Sequence, residues 1–217
     1  MLALLFDLDG TLLDTFEQLL QAQNEALAAF GEPPLTAEQL RPLVGLPLTK
    51  QMEITRGMRG PRVAAINDDY YRRFQAALEK GVRTYPGVLE TLAVLRDRRI
   101  GTMTTRRQAV ADRMLRLAGI REFFTAVVGG DEVPRPKPEP DLPLFAAKAL
   151  GLPANECVVV GDSPVDILAG KAAGSSTIAA AYGYGTREEL MAAAPSRVIE
   201  RFADLPSVLN SLERGNP

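Results

Sequence analysis

The segment Asp7-Leu8-Asp9-Gly10-Thr11 carries two carboxylates two positions apart. In extended chain, residues i and i+2 point the same way, so Asp7 and Asp9 can present both charges to one spot while Gly10 permits the chain to turn away. Two clustered carboxylates call for a cation. The competing chemistry is a polar turn or a calcium loop, but an EF-hand places its glycine sixth, after three spaced oxygen ligands, whereas Gly10 stands fourth behind an apolar run. Two further apolar runs end in comparable residues, Thr104-Thr105-Arg106 and Gly161-Asp162-Ser163. Asp162 offers another oxygen ligand near Asp7, and Asp166, in the first turn of the next helix, can orient a neighbouring lysine or water. Ser163-Pro164 also reads as an ordinary helix N-cap with proline at N1, and both readings can hold. Thr104 can simply end a strand, and its hydroxyl also donates well to an anionic oxygen.

Lys137 sits in the run Pro134-Arg-Pro-Lys-Pro-Glu-Pro140. This can be a stiff polyproline linker, and alternating prolines also hold a lysine rigidly in place. With five lysines against twenty arginines in the chain, lysine is not the default base here. A compact ammonium suits neutralising a phosphate or carboxylate at one point.

Absences narrow the chemistry. The chain has no histidine, which removes a Ser-His-Asp triad, a phosphohistidine and a His-rich zinc site. Cys157 is followed six positions on by Ser163, where a cysteine phosphatase would carry arginine. Gly170-Lys171 lacks the rest of a phosphate-binding GxxxxGK[ST] loop.

These residues need a scaffold that brings distant strand ends together. Leu2–Phe6 is a short apolar run stopped by Asp7, as expected of a strand buried on both faces. A helical pattern runs from Gln18 to Phe30 and closes at Gly31. Thr36-x-x-Gln39 has the form of a capping box. From Leu48 to Lys80 the spacing is again helical, with Ile66, Tyr70, Phe74 and Leu78 every four residues. Beyond Gly81 helices and short strands alternate: helix Pro86–Arg98, strand Ile100–Thr104, helix Gln108–Ala118, strand Ala126–Val128. Helix Pro140–Leu150, strand Cys157–Val160, a helix ending at Gly174 and strand Thr177–Ala181 follow. Such alternation predicts an α/β fold with a Rossmann-like parallel sheet covered on both faces. The domain division expected is a core of residues 1–15 and 82–217 with an α-helical block, residues 16–81, inserted after the first strand.

The 217 residues, 46% of them hydrophobic, suffice for one large core with a small appended unit. A net charge of −2 provides no basic excess for gripping a nucleic-acid backbone. The opening MLALLF lacks a basic n-region, and no apolar run reaches the ~18 residues of a membrane span. One cysteine forms no intrachain disulfide and suits a reducing compartment, so the expected location is cytoplasmic.

DLDGTLLDT at 7–15, Thr104 at the end of the second core strand, Lys137 in RPKPEPD and GDSPVD at 161–166 resemble, in order, the four motifs of the haloacid dehalogenase-like hydrolases. The helical block is similar to the inserted cap of that family. The resemblance implies that Asp7 is the nucleophile and Asp9 the acid that protonates the leaving group and then activates water. It implies that Asp7, the Asp9 backbone carbonyl and Asp162 hold Mg²⁺, that Thr104, Thr105 and Lys137 bind the phosphoryl oxygens, and that Asp166 acts behind them. The partner implied is a small phosphorylated metabolite. Val44-Gly45-Leu46-Pro47 and AYGYGTREEL at 181–190 look most like phosphoglycolate phosphatases, although Thr105 stands where many relatives have asparagine. No single arginine stands out among Arg41, Arg56, Arg59, Arg62, Arg72 and Arg73 of the helical block. A phosphosugar mutase of the same superfamily shares these motifs, and a catalytically idle binding module is a third reading. A dehalogenase fits less well, because those relatives lack an acid at the position of Asp9.

Overall fold

The structure is a computed structural model that describes residues 1–214. Its centre is a five-stranded parallel sheet in the order β4-β1-β5-β6-β7. The strands are β1 (Ala3–Phe6), β4 (Ile100–Thr102), β5 (Cys157–Gly161), β6 (Ser176–Ala180) and β7 (Arg197–Ile199). β1 pairs on one side with β4, Leu5 opposite Gly101, and on the other with β5, Leu5 opposite Val159. Every residue of β1 is buried because layers of helix cover both faces. Leu4 and Phe6 face a core shared with α5 (Val88–Val94), α6 (Gln108–Leu117) and α10 (Leu205–Glu213). Ala3 and Leu5 face a second core closed by α7 (Asp141–Ala149). The period of two in the strand thus becomes the two sides of the sandwich.

The chain passes from β1 to one flank of the sheet and then crosses to the other. The gap between β4 and β5, spanned by β1, is therefore the point where strand order reverses, and side chains just past these strand ends converge there. Between β2 (Leu13–Asp14) and β3 (Arg83–Thr84), which pair antiparallel, lie α1 (Phe16–Ala29), α2 (Ala37–Leu40), α3 (Leu48–Arg56) and α4 (Pro61–Leu78). Helix α1 packs along α4, whose Val63, Ile66, Tyr70, Phe74 and Leu78 are buried. The capping box at Thr36 is formed, with its hydroxyl accepting from Gln39 and the Gln39 side chain accepting from Thr36. Helix α8 (Pro164–Ala172) opens at Ser163, and α9 (Arg187–Ala192) follows β6.

Several elements differ from the sequence reading. Ala126–Val128 is not a strand; it makes one isolated bridge to β4, Ala126 opposite Gly101. The Thr102 hydroxyl donates to the Val128 carbonyl at 2.9 Å and accepts its N–H at 2.7 Å, so a side chain takes the place of a ladder rung. The second core strand stops at Thr102, and Met103 and Thr104 lead out of it. β7 was not foreseen, because three residues opening with arginine form no apolar run.

Phe202 is buried beneath β1, its ring centre 5.7 Å from that of Phe6. Phe202→Ala is expected to cost about 3–5 kcal/mol of unfolding free energy. Urea denaturation checks this, and a loss below about 1 kcal/mol would show that the segment after β7 does not share the core.

Candidate active site

Asp7 is the first residue past β1, Asp162 the first past β5, and both are buried. Lys137 reaches them from the proline-framed run: its Nζ donates to Asp7 Oδ1 at 2.8 Å and to Asp166 Oδ1 at 2.5 Å. The other oxygen of Asp166 accepts from the Ser163 backbone N–H at 3.0 Å and from the Ser163 hydroxyl at 2.6 Å. One carboxylate therefore caps α8 and steers the lysine.

Asp162 accepts from the Thr11 hydroxyl at 2.8 Å and from the Tyr184 backbone N–H at 2.8 Å. Gly10 sits against it with φ +88°, and a Cβ at Gly10 or at Gly183 would strike the Asp162 carboxylate. Burial, with the charges of Asp166 and Asp7 adding to it, holds the Asp162 carboxyl well above the ordinary carboxylate range. Asp7 is likewise pushed up to about 7, first by burial and then by Asp166 and Asp9, while Lys137 opposes the shift. Burial alone would lower Lys137, but Asp166 and Asp7 outweigh it and hold the ammonium above its usual range.

Ligand oxygens of Asp7, Asp162 and Asp166 lie within 4.8 Å of one another. Three carboxylates face one ammonium, which leaves two negative charges without a counterion in a buried space when all are ionised. Hard oxygen donors in that number fit a divalent cation. The Asp9 carboxylate is outside this group. Its oxygens accept from the Thr15 hydroxyl and from Arg106 Nε, the latter at 2.7 Å.

Thr104 is buried, with its hydroxyl accepting the Arg106 backbone N–H at 3.2 Å. Thr105 shares with Asp7 and Asp9 the wall of a cavity of about 190 Å³. The opposite wall is helical: Leu19 of α1, Val44-Gly45-Leu46-Pro47 before α3, and Asn67, Tyr70 and Tyr71 of α4. None of the six arginines weighed in the helical block lines this cavity. Arg41 lies over the rings of Phe16 and Tyr184, and Arg72 and Arg73 pair with Asp69. The arginines at the cavity, Arg106 and Arg107, come instead from the loop after β4.

The sequence reading gave no role to Arg106, Thr15 or Tyr184. Arg106 and Thr15 closed the very segments that drew attention, Thr104-Thr105-Arg106 and DLDGTLLDT, which was the available signal. Tyr184 links two parts of the site, its N–H on Asp162 and its hydroxyl accepting from Thr15 N at 3.0 Å. Its role depends on a fold contact across the sheet end and left no local pattern.

A family profile described as "Haloacid dehalogenase-like hydrolase" matches residues 4–180, a span that holds the four carboxylates, Lys137 and Arg106. The chain belongs to the haloacid dehalogenase-like hydrolases. Among relatives, this hydrolase is 32% identical to a phosphoglycolate phosphatase of Vibrio parahaemolyticus, over 94% of each chain. It is also 32% identical to the pyrophosphatase PpaX of Bacillus velezensis, again over 94% of each. Among solved structures, CbbY of Rhodobacter sphaeroides in complex with phosphate superposes with a TM-score of 0.83 at 29% identity, covering 94% of this hydrolase and 96% of CbbY. Among the described residues, no helix is long and apolar enough to cross a membrane.

The raised carboxyls set a sign for stability. Between about pH 4 and pH 7 the folded cation-free protein holds protons at Asp7 that the unfolded chain has released, so stability falls as pH rises through that window. A divalent cation supplies the missing charge, so its increment to the melting temperature is expected to be larger near pH 8 than near pH 5.5. Thermal melts with Mg²⁺ and with EDTA at both pH values check this; equal increments would remove the carboxylate cluster as the binding site.

Proposed function

We propose that this hydrolase is a magnesium-dependent phosphatase of small phosphate monoesters, with phosphoglycolate or a similar ester as substrate, working through an aspartyl-phosphate on Asp7. The observation that carries the reading is Asp7 paired with the buried Lys137 at the strand-order reversal, with Asp9 on the wall of the same cavity. The enzyme is a phosphoric monoester hydrolase, a class to which the related phosphoglycolate phosphatase belongs.

In this mechanism the Asp7 carboxylate attacks phosphorus and the ester bond breaks, with the leaving oxygen taking a proton from Asp9. Asp9 then removes a proton from water, which attacks the phosphorus of the aspartyl-phosphate and frees inorganic phosphate and Asp7. Lys137 and the hydroxyls of Thr104 and Thr105 hold the phosphoryl oxygens. Asp166 keeps the ammonium in place through its 2.5 Å contact. Asp7, Asp162 and the Asp9 main-chain carbonyl would hold Mg²⁺, which when bound offsets the repulsion between a carboxylate and a phosphate dianion. Residues 16–81 act as the cap, closing the cavity against water and setting the choice of leaving group. The buried, free Cys157 and the composition support a cytoplasmic enzyme.

Purified protein is expected to release inorganic phosphate from phosphoglycolate with Mg²⁺, and EDTA to abolish the release. Asp7→Asn should fold, by circular dichroism, yet lose at least about a thousandfold in kcat, because a carboxamide keeps the shape and removes the nucleophile. Near-wild-type activity of Asp7→Asn refutes the assigned role, and an isomerised sugar phosphate as the main product from a hexose 1-phosphate indicates a mutase.

A further inference from the structure

The segment Tyr182-Gly183-Tyr184, just past the end of β6, passes around the Asp162 carboxylate. The Tyr184 backbone N–H donates to Asp162 Oδ2 at 2.8 Å, and Gly183 packs so close that a Cβ there would strike the carboxylate. The Tyr182 side chain goes elsewhere. Its hydroxyl donates to the main-chain carbonyl of Thr11 at 2.8 Å, and the Thr11 hydroxyl donates in turn to Asp162 Oδ1 at 2.8 Å. The reaction steps assigned to Asp7, Asp9, Lys137 and the two threonines after β4 make no use of Tyr182.

Each Asp162 oxygen takes one of these donors and keeps a lone pair, so the two donors fix the plane of the carboxylate while both oxygens stay able to bind a cation. The Tyr184 donor is backbone. The Thr11 donor is a side chain on the turn that follows β1, so its placement depends on what holds that turn. The turn closes on itself, with the N–H groups of Leu12 and Leu13 donating to the Leu8 carbonyl at 3.0 and 2.9 Å. The carbonyl of Thr11, a residue with no exposed surface, is met by Tyr182. Tyr182 is backed by Tyr85, whose ring centre lies 5.1 Å from its own and whose N–H donates to the Leu12 carbonyl at 3.0 Å. Removing the phenol oxygen leaves a buried carbonyl short of that donor, a cost the turn relieves by shifting, and the Thr11 hydroxyl moves with it.

We propose that Tyr182 is a positioning residue of the cation site: acting through the Thr11 turn, it holds the Asp162 carboxylate in the orientation that binds Mg²⁺ and so sets the affinity for the metal. This rests on the reading of Asp162 as an Mg²⁺ ligand. Partners directly behind a metal ligand are worth roughly 10- to 100-fold in affinity. Tyr182 stands one step further back, which places it at the low end of that range.

Isothermal titration calorimetry of the full chain with Mg²⁺, in the absence of any ester, measures this directly. Tyr182→Phe keeps the ring and removes only the hydroxyl; its Kd for Mg²⁺ is expected to rise about tenfold. Thr11→Val should weaken Mg²⁺ by roughly 10- to 100-fold, and the double variant no more than Thr11→Val alone, because both changes cut the same connection. A tyrosine that only packs against Tyr85 would lower the melting temperature in EDTA and leave the Kd for Mg²⁺ at the wild-type value, which overturns the proposal. Losses that multiply in the double variant overturn it too, since they remove the route through Thr11. If Tyr182→Phe does not fold, Thr11→Val decides: a wild-type Kd there overturns the proposal and a weakened one supports it. In each of these cases Asp162 remains an Mg²⁺ ligand. Wild-type protein that takes up no Mg²⁺ overturns that reading itself, and the proposal with it.

Discussion

Four carboxylates, Asp7, Asp9, Asp162 and Asp166, are buried just past the ends of β1 and β5 against two buried cations, Lys137 and Arg106. Placing like charges together out of water is costly, and the fold is arranged to contain that cost. The sheet end supplies fixed positions, Thr11 and the Tyr184 N–H take the free lone pairs of Asp162, and Ser163 takes those of Asp166. Even so, Asp7 and Asp162 stay above the ordinary carboxylate range, which marks a charge deficit that protein groups alone do not fill. The pairs divide the site in two: Lys137 serves Asp7 and Asp166, while Arg106 serves Asp9.

That division follows from topology. Lys137 stands after β4 and before β5 in the chain and meets Asp7 because β1 lies between those strands. Arg106 leaves the same region toward α4. One strand end, carrying Asp7 and Asp9 two positions apart, thus faces two environments: a closed acid cluster and an open cavity wall.

Much of this was legible in the residues. The parallel sheet follows from short apolar runs alternating with helical spacing, and the carboxylates follow from aspartates placed where those runs stop. Lys137 was legible because prolines isolate it and because lysine is scarce in the chain. Arg106 was not, since it is one arginine among twenty, and its burial is decided by Phe74 and Tyr70 some thirty residues earlier. The same limit hid Tyr184, whose contacts with Thr15 and Asp162 join residues distant in sequence. The misplaced strand at Ala126–Val128 has a different cause: apolarity identified a buried segment that does make backbone hydrogen bonds to β4, but the Thr102 side chain takes the Val128 N–H that a regular ladder would pair with a backbone carbonyl.

The location of the cavity arginine on the sheet side rather than on the helices has a mechanical consequence within the proposed reading. Asp7, Asp9 and Arg106 all come from the segments that follow the ends of β1 and β4, so their backbone positions are set from the sheet side. What α4 contributes is a platform, the Phe74 ring and the Tyr70 hydroxyl, which fixes the guanidinium and removes it from water. With the platform in place the Arg106–Asp9 pair is shielded and strong; with it withdrawn, water competes for both partners and the pair weakens. The helical block can therefore tune how firmly Asp9 is held through Arg106 alone.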